Sequence, residues 1–161
     1  MLQKVSLCRV NLYVHIQTGF DDHRLERKTN ELTPGIAERL CKLHRTRQAQ
    51  ATVALFASPE PWTGGVVETD SNGRVLRFVE KPDRKQISTN LISAGIFVLE
   101  PQVLDVIPAG QFYDFGRDVF PKLLAERRPV YAMEPKAYIQ DVGTPERLAK
   151  AQRDFEEGAL K

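Results

Sequence analysis

Two kinds of apolar pattern alternate along the chain. Ala51 to Ala57 and Leu91 to Leu99 are short, nearly continuous apolar runs, the form taken by strands covered on both faces. Between such runs, apolar residues recur at helical spacing. Ile36, Leu40 and Leu43 follow Thr33-Pro34, which predicts a helix with Thr33 as N-cap and Pro34 at its first position, running to about Arg47. Val66 to Thr69 and Arg74 to Val79 flank the turn residues Asp70-Ser-Asn-Gly73; this predicts a hairpin, with Asn72-Gly73 supplying the positive φ angles of a tight turn.

Downstream, Pro101 opens a helix carrying Val103, Leu104 and Ile107, and a second helix follows Gly116 with Phe120, Leu123 and Leu124 inward. Pro129 to Met133 and Ala137 to Ile139 read as strands, and Thr144-Pro145-Glu146 caps a last helix, with Glu146 suited to the positive helix end. Strands alternating with helices imply an α/β layered fold whose sheet is mixed and mostly parallel. Residues 33–161 read as one unit. Residues 1–32 form an atypical N-terminal segment: Leu12 to Ile16 reads as a strand, whereas Thr18 to Asn30 is polar and irregular.

Length and composition fit one globular domain: 161 residues, 42% hydrophobic and 27% charged, enough to bury a sizeable core. The net charge of +2 gives no basic excess for sequence-independent nucleic-acid binding. Cys8 and Cys41 lie far apart without metal-ligand spacing, which argues against a disulfide framework or a zinc site and favours a reducing cytoplasm. Lys4 and Arg9 interrupt the N-terminus, and no apolar run approaches the roughly 20 residues of a membrane span. The expectation is a soluble cytoplasmic protein with no nucleic-acid or membrane partner.

The chemistry concentrates where a strand ends in Glu80-Lys81-Pro82. A carboxylate accepts hydrogen bonds from neighbouring sugar hydroxyls and an ammonium on a long stem neutralises a phosphate, so the pair suits a sugar phosphate; a solvated strand end is the alternative. Asp141, in Ile139-Gln-Asp-Val-Gly-Thr-Pro-Glu146, is placed to begin the turn before Thr144. Gly65 and Gly95 permit close backbone approach or a bend, and Asn90 sits at a turn. Trp62, in a proline-bounded loop, is a loop anchor or a stacking platform.

The hairpin, Glu80-Lys81-Pro82, Asn90 to Phe97 and Asp141 to Glu146 occur in an order that resembles the sugar-1-phosphate nucleotidyltransferases, the group that includes mannose-1-phosphate guanylyltransferases and glucose-1-phosphate thymidylyltransferases. The resemblance covers roughly residues 30 to 150. It implies a Rossmann-like fold and transfer of a nucleoside monophosphate from a nucleoside triphosphate to a hexose 1-phosphate, such as that of mannose or glucose, releasing pyrophosphate. It further implies that Gly65 lines the sugar pocket with its backbone, Glu80 binds sugar hydroxyls, Lys81 places the sugar phosphate, Asn90 and Gly95 complete the wall, and Asp141 binds Mg²⁺. Lys81 and Asp141 would be the catalytic pair. In Tyr113 to Asp118, which resembles a loop of the mannose-type branch, Asp114 and Arg117 either approach the ligand or simply lead into a helix.

The same resemblance exposes departures. Counting back from His44, Asn30 falls where the family carries a second metal-binding aspartate, and an amide adds no charge to a Mg²⁺ site. Asp21 and Asp22 are substitutes only if the register slips. Gly19 is the only glycine before Gly35, so no glycine-rich loop is present to grip a triphosphate. The expectation is the C-terminal, sugar-binding portion without the nucleotide-binding half. Catalysis by the isolated chain is then impaired, and nucleoside triphosphate is a partner only if that half is supplied. The alternative is a non-catalytic module that binds a sugar phosphate and pairs, as a homo- or hetero-oligomer, with a full-length transferase.

Overall fold

The computed structural model describes residues 2–7, 10–15, 34–135, 138–139, 142 and 144–157. Its centre is a seven-stranded sheet in the order β1-β2-β6-β3-β7, with a β4–β5 hairpin attached to β6. The strands are β1 Leu2–Leu7, β2 Val10–His15, β3 Ala51–Ala57, β4 Gly65–Thr69, β5 Val75–Glu80, β6 Leu91–Leu99 and β7 Val130–Met133. Among the described residues, the α-helices are α1 Pro34–Thr46, α2 Phe120–Ala125 and α3 Pro145–Glu156.

Alternation along the central strands places a layer on each face of the sheet. Val53 and Leu55 of β3, with Phe97 and Leu99 of β6, pack with Val103, Val119, Phe120 and Leu123 on one side. Ala54 and Val98 face the other way, against Ile36, Ala37, Leu40 and Cys41 of α1. That two-sided covering is why both strands read as continuous apolar runs, and it bears out an α/β fold with a mixed sheet.

The direction of the strands corrects the reading. Among the described strands only β3 and β7 run parallel; β6 is antiparallel to β2, β3 and β4. A sheet covered on both faces needs apolar strands whatever their direction, so the apolar runs could not establish a mostly parallel sheet. Other expectations shift locally. The helix expected from Pro101 is a 3₁₀ segment, Pro101–Val106, and the one expected after Gly116 begins with a π-helical turn, Phe115–Val119, before α2. In the β4–β5 turn only Gly73 is left-handed, at φ +78°. Asn72 is instead held by its N–H, which donates to Asp70 Oδ1 at 2.8 Å. Of the strand expected over Ala137 to Ile139, Ala137 lies outside the described residues, and Tyr138 and Ile139 lie in no strand. The cap of α3 is as expected, with Thr144 Oγ1 accepting from the Arg147 N–H. No helix among the described residues is long and apolar enough to cross a membrane.

Candidate functional site

The site grows out of the hairpin. β4 and β5 pair with Gly65 directly opposite Glu80 and Val67 opposite Phe78. A bulge leaves Leu76 unpaired between Thr69↔Val75 and Glu68↔Arg77, which resets the alternation so that Val75 and Phe78 are both buried while Leu76 is exposed. Phe78 and Glu80, two residues apart, then share a face. Phe78 stacks on Phe120 with ring centroids 4.7 Å apart, and Phe120 in turn meets Phe97 edge-on at 5.0 Å. This aromatic floor fixes the strand end from which Glu80 rises.

Two glycines close around Glu80. A Cβ on Gly65 would lie 2.6 Å from Phe78 Cε1 and 2.9 Å from Glu80 Oε2; one on Gly116 would lie 2.6 Å from Glu80 Oε2 and 3.3 Å from its Cβ. Gly116 belongs to the π-helical turn, whose N-cap Asp114 accepts a hydrogen bond from the Arg117 N–H at 2.8 Å. Packed between these backbones, the Glu80 carboxyl is half-buried, and no described residue donates a hydrogen bond to it. Burial, helped by the negative charge of Asp114, pushes its pKa above the ordinary carboxylate value, while Lys81 and Arg117 pull it back. An acceptor removed from water without a donor calls for an explanation; here it stands beside two cations.

Lys81 sets the far side. Its φ is +47°, the left-handed region that few non-glycine residues adopt, and its N–H donates to Gly64 O at 3.0 Å. This conformation breaks the strand alternation that sends consecutive side chains to opposite faces. Lys81 is exposed, and no described carboxylate pairs with it. Asn90 is also exposed, and its carbonyl accepts from the Ser58 N–H at 2.9 Å. Gly95 is left-handed at φ +71° in β6, where the register with β3 shifts. The structure thus brings Gly65, Glu80 and Lys81 together, ties Asn90 to the neighbouring loop, and leaves Gly95 on β6, which β4 meets only at Val66↔Ile92. Asp141 lies outside the described residues, as do Asn30, Asp21, Asp22 and Thr33. Among the described residues no group of three or more His, Cys, Asp or Glu could hold a metal ion.

Sequence reasoning missed the part played by Gly116, which it used only to mark a helix start. The available signal was Asp114 beside it, already a candidate to approach a ligand.

Comparison with known proteins gives this geometry a context. Residues 30–158 match the Nucleotidyl transferase family. A UTP--glucose-1-phosphate uridylyltransferase from Synechocystis sp. is 42% identical over 104 residues, covering 63% of this chain and 27% of that protein. A mannose-1-phosphate guanylyltransferase from Mycobacterium tuberculosis is 36% identical over 120 residues, covering 74% of this chain and 33% of its own length. A solved UDP-glucose pyrophosphorylase complexed with UDP-glucose superposes with a TM-score of 0.63 at 20% identity, over 77% of this chain and 50% of that one. The chain therefore spans a third or less of these two curated relatives and half of that solved structure.

Proposed function

The chain belongs to the Nucleotidyl transferase family, and from that premise we propose that residues 33–161 form the hexose 1-phosphate-binding part of an enzyme that makes nucleotide sugars. The observation that carries this reading is the Glu80 carboxyl, wedged between two glycine backbones with no described donor and with, on the next residue, an ammonium that no described carboxylate pairs. Vicinal sugar hydroxyls donate to such a carboxylate, and the ester phosphate balances the ammonium. The raised pKa still leaves Glu80 able to ionise once hydroxyls satisfy it. Gly65 and Gly116 set the width of the slot, because any side chain there would meet Glu80.

In the proposed reaction an oxygen of the sugar phosphate attacks the α-phosphorus of a nucleoside triphosphate and pyrophosphate leaves. Glu80 orients the sugar and Lys81 holds the attacking phosphate in place, so catalysis is positioning and charge stabilisation without a covalent intermediate. Asp141 would supply a single carboxylate to Mg²⁺, which suits an ion that takes one or two protein carboxylates and fills its shell with water and phosphate oxygens. Mg²⁺ would screen the phosphate charge. Glucose or mannose 1-phosphate is the proposed substrate, and a reducing cytoplasm the proposed setting.

Calorimetric titration of this chain with glucose 1-phosphate and mannose 1-phosphate, with and without Mg²⁺, tests the proposal. Binding that Lys81→Ala weakens about tenfold or more is the expected result for a charge-assisted contact. Pyrophosphate release, followed with each common nucleoside triphosphate, is expected to be absent or slow from these 161 residues alone. No binding of either sugar phosphate, or binding that Lys81→Ala leaves unchanged, overturns it.

A further inference from the structure

Lys81 holds a left-handed backbone that an unbranched side chain does not favour, so something must hold the segment that follows it. Two loops meet there. One, residues 58–64, contains the 3₁₀ turn Pro61–Thr63; the other, residues 81–90, contains the 3₁₀ turn Arg84–Gln86. They are joined at their ends by Lys81 N–H to Gly64 O at 3.0 Å and by Ser58 N–H to Asn90 O at 2.9 Å. Between these ties, the Arg84 guanidinium lies 3.9 Å above the centre of the Trp62 ring.

Each partner is braced from its own side. Thr63 Oγ1 donates to Glu60 O at 2.8 Å and the Glu60 N–H donates to Ser58 Oγ at 3.1 Å, which stiffens the turn that carries Trp62. Gln86 accepts from the Asp83 N–H at 3.3 Å through its side chain and donates its own N–H to Asp83 O at 2.8 Å, closing the turn that carries Arg84. Arg84 has no carboxylate partner among the described residues. Its charge is met by the face of the indole, an interaction that fixes both position and orientation. Pro82, between Lys81 and this turn, is buried, so the stack and the Lys81 backbone are separated by one fixed residue and Asp83.

We propose that the Trp62–Arg84 stack is the device that positions Lys81 for the sugar phosphate, with both residues acting through the Lys81 backbone rather than by touching the ligand. This deepens the function proposed above and rests on it. The sequence separates Trp62 from Arg84 by two strands and a turn, and neither residue belongs to the Glu80 slot.

Two measurements on the whole chain test the proposal, one of which needs no ligand. NMR amide exchange reports the Lys81 N–H···O bond directly: Arg84→Ala and Trp62→Ala are expected to speed exchange at Lys81 on the order of fivefold, the scale of an exposed cation–π contact, while amides of β3 and β6 keep their protection. Trp62→Phe, which retains an aromatic face, is expected to restore most of it. Calorimetry with glucose 1-phosphate supplies the second reading. Arg84→Ala should weaken binding by about fivefold in the wild-type background and have no further effect in Lys81→Ala, the signature of action through that residue. Equal losses in both backgrounds would place Arg84 on the phosphate itself and overturn the proposal, as would Lys81 exchange that neither variant changes. A wild-type chain that binds no sugar phosphate, while Lys81 exchange still responds to Arg84→Ala, refutes the proposed function and with it the purpose assigned to the stack, but leaves the coupling between stack and backbone established.

Discussion

Glu80 and His44 are both titratable side chains drawn out of water where strands of the sheet begin or end, and the protein treats them in opposite ways. His44, only 2% exposed, ends the apolar stripe of α1 and finds a partner for each ring nitrogen: Thr52 Oγ1 lies 2.9 Å from Nδ1 and Glu100 Oε1 lies 3.2 Å from Nε2. An ionised Glu100 only accepts, so Nε2 carries the proton and Nδ1 accepts from the Thr52 hydroxyl. This neutral ring ties α1 to β3 and to the residue after β6. Glu80, by contrast, is closed in by glycines and left without a described donor. A buried polar group whose partners are all in place holds structure together, whereas one left without them is what a ligand completes.

The contrast is broken most severely at His44. His44→Ala removes both hydrogen bonds, strands the fully buried Thr52 hydroxyl and opens a cavity beneath α1. It should cost about 3 kcal/mol in urea denaturation and leave the affinity for glucose 1-phosphate within about twofold. A large loss of affinity would mean that the two regions are not separable.

The two glycines divide the Glu80 slot into a rigid wall and a movable one. A Cβ at position 65 meets the Phe78 ring, which is locked against Phe120, so Gly65→Ala should destabilise the fold by roughly 1–3 kcal/mol through overpacking. A Cβ at position 116 meets first the free end of Glu80 at 2.6 Å and only then Phe78 at 3.2 Å. Gly116→Ala should therefore cost less stability while lowering sugar-phosphate affinity by about tenfold, because the carboxylate is the atom that yields. Parallel thermal melts and calorimetry separate the two; equal behaviour would mean that Glu80 has nowhere to move.

How much of this was legible follows from what each feature depends on. Leu91–Leu99 and the hairpin came from local pattern and fell within a residue or so of their observed limits. Glu80 could be singled out by its place at a strand end beside Lys81 and Gly65 by the family resemblance, whereas their position directly opposite one another is a finding of the structure. Gly116 had only nearby Asp114 as a hint, since its approach to Glu80 depends on a π-helical turn that Asp114 caps and that aromatic packing holds against β5. The Trp62–Arg84 stack joins two loops whose sequences give no sign of one another. Strand direction was hidden for a different reason: a strand covered on both faces is apolar whichever way it runs.

The sharpest form of the comparison is chemical. Glu80→Gln keeps the shape and removes the charge, so affinity for glucose 1-phosphate should fall about tenfold or more, while thermal stability at neutral pH should rise, because the buried charge penalty disappears. A melting temperature that falls with affinity would make Glu80 a structural group like His44.

The smallest effect is the most discriminating, since it depends on the sign of two opposed pKa shifts. Glu80 has a folded pKa raised above 4.5 by burial and then by Asp114. Just above that ordinary value the folded state holds the proton more tightly than the unfolded one, so Glu80 contributes stability at low pH that is lost as pH rises through the raised pKa. His44 has a folded pKa lowered below 6.5, first by burial and against the pull of Glu100. There the unfolded state takes up the proton more readily, so stability is lost as pH falls from about 6.5 toward the lowered value. Between these ordinary values the two contributions slope in opposite directions, and the wild-type profile should be flatter than either alone. Denaturation at stepped pH should show stability increasing more steeply with pH in Glu80→Gln, where only His44 still titrates against folding. In His44→Gln the slope should turn shallower or reverse. An unchanged slope in Glu80→Gln would mean that the carboxyl titrates as though it were in water, and the slot between Gly65 and Gly116 would then hold no electrostatic tension for a sugar to relieve.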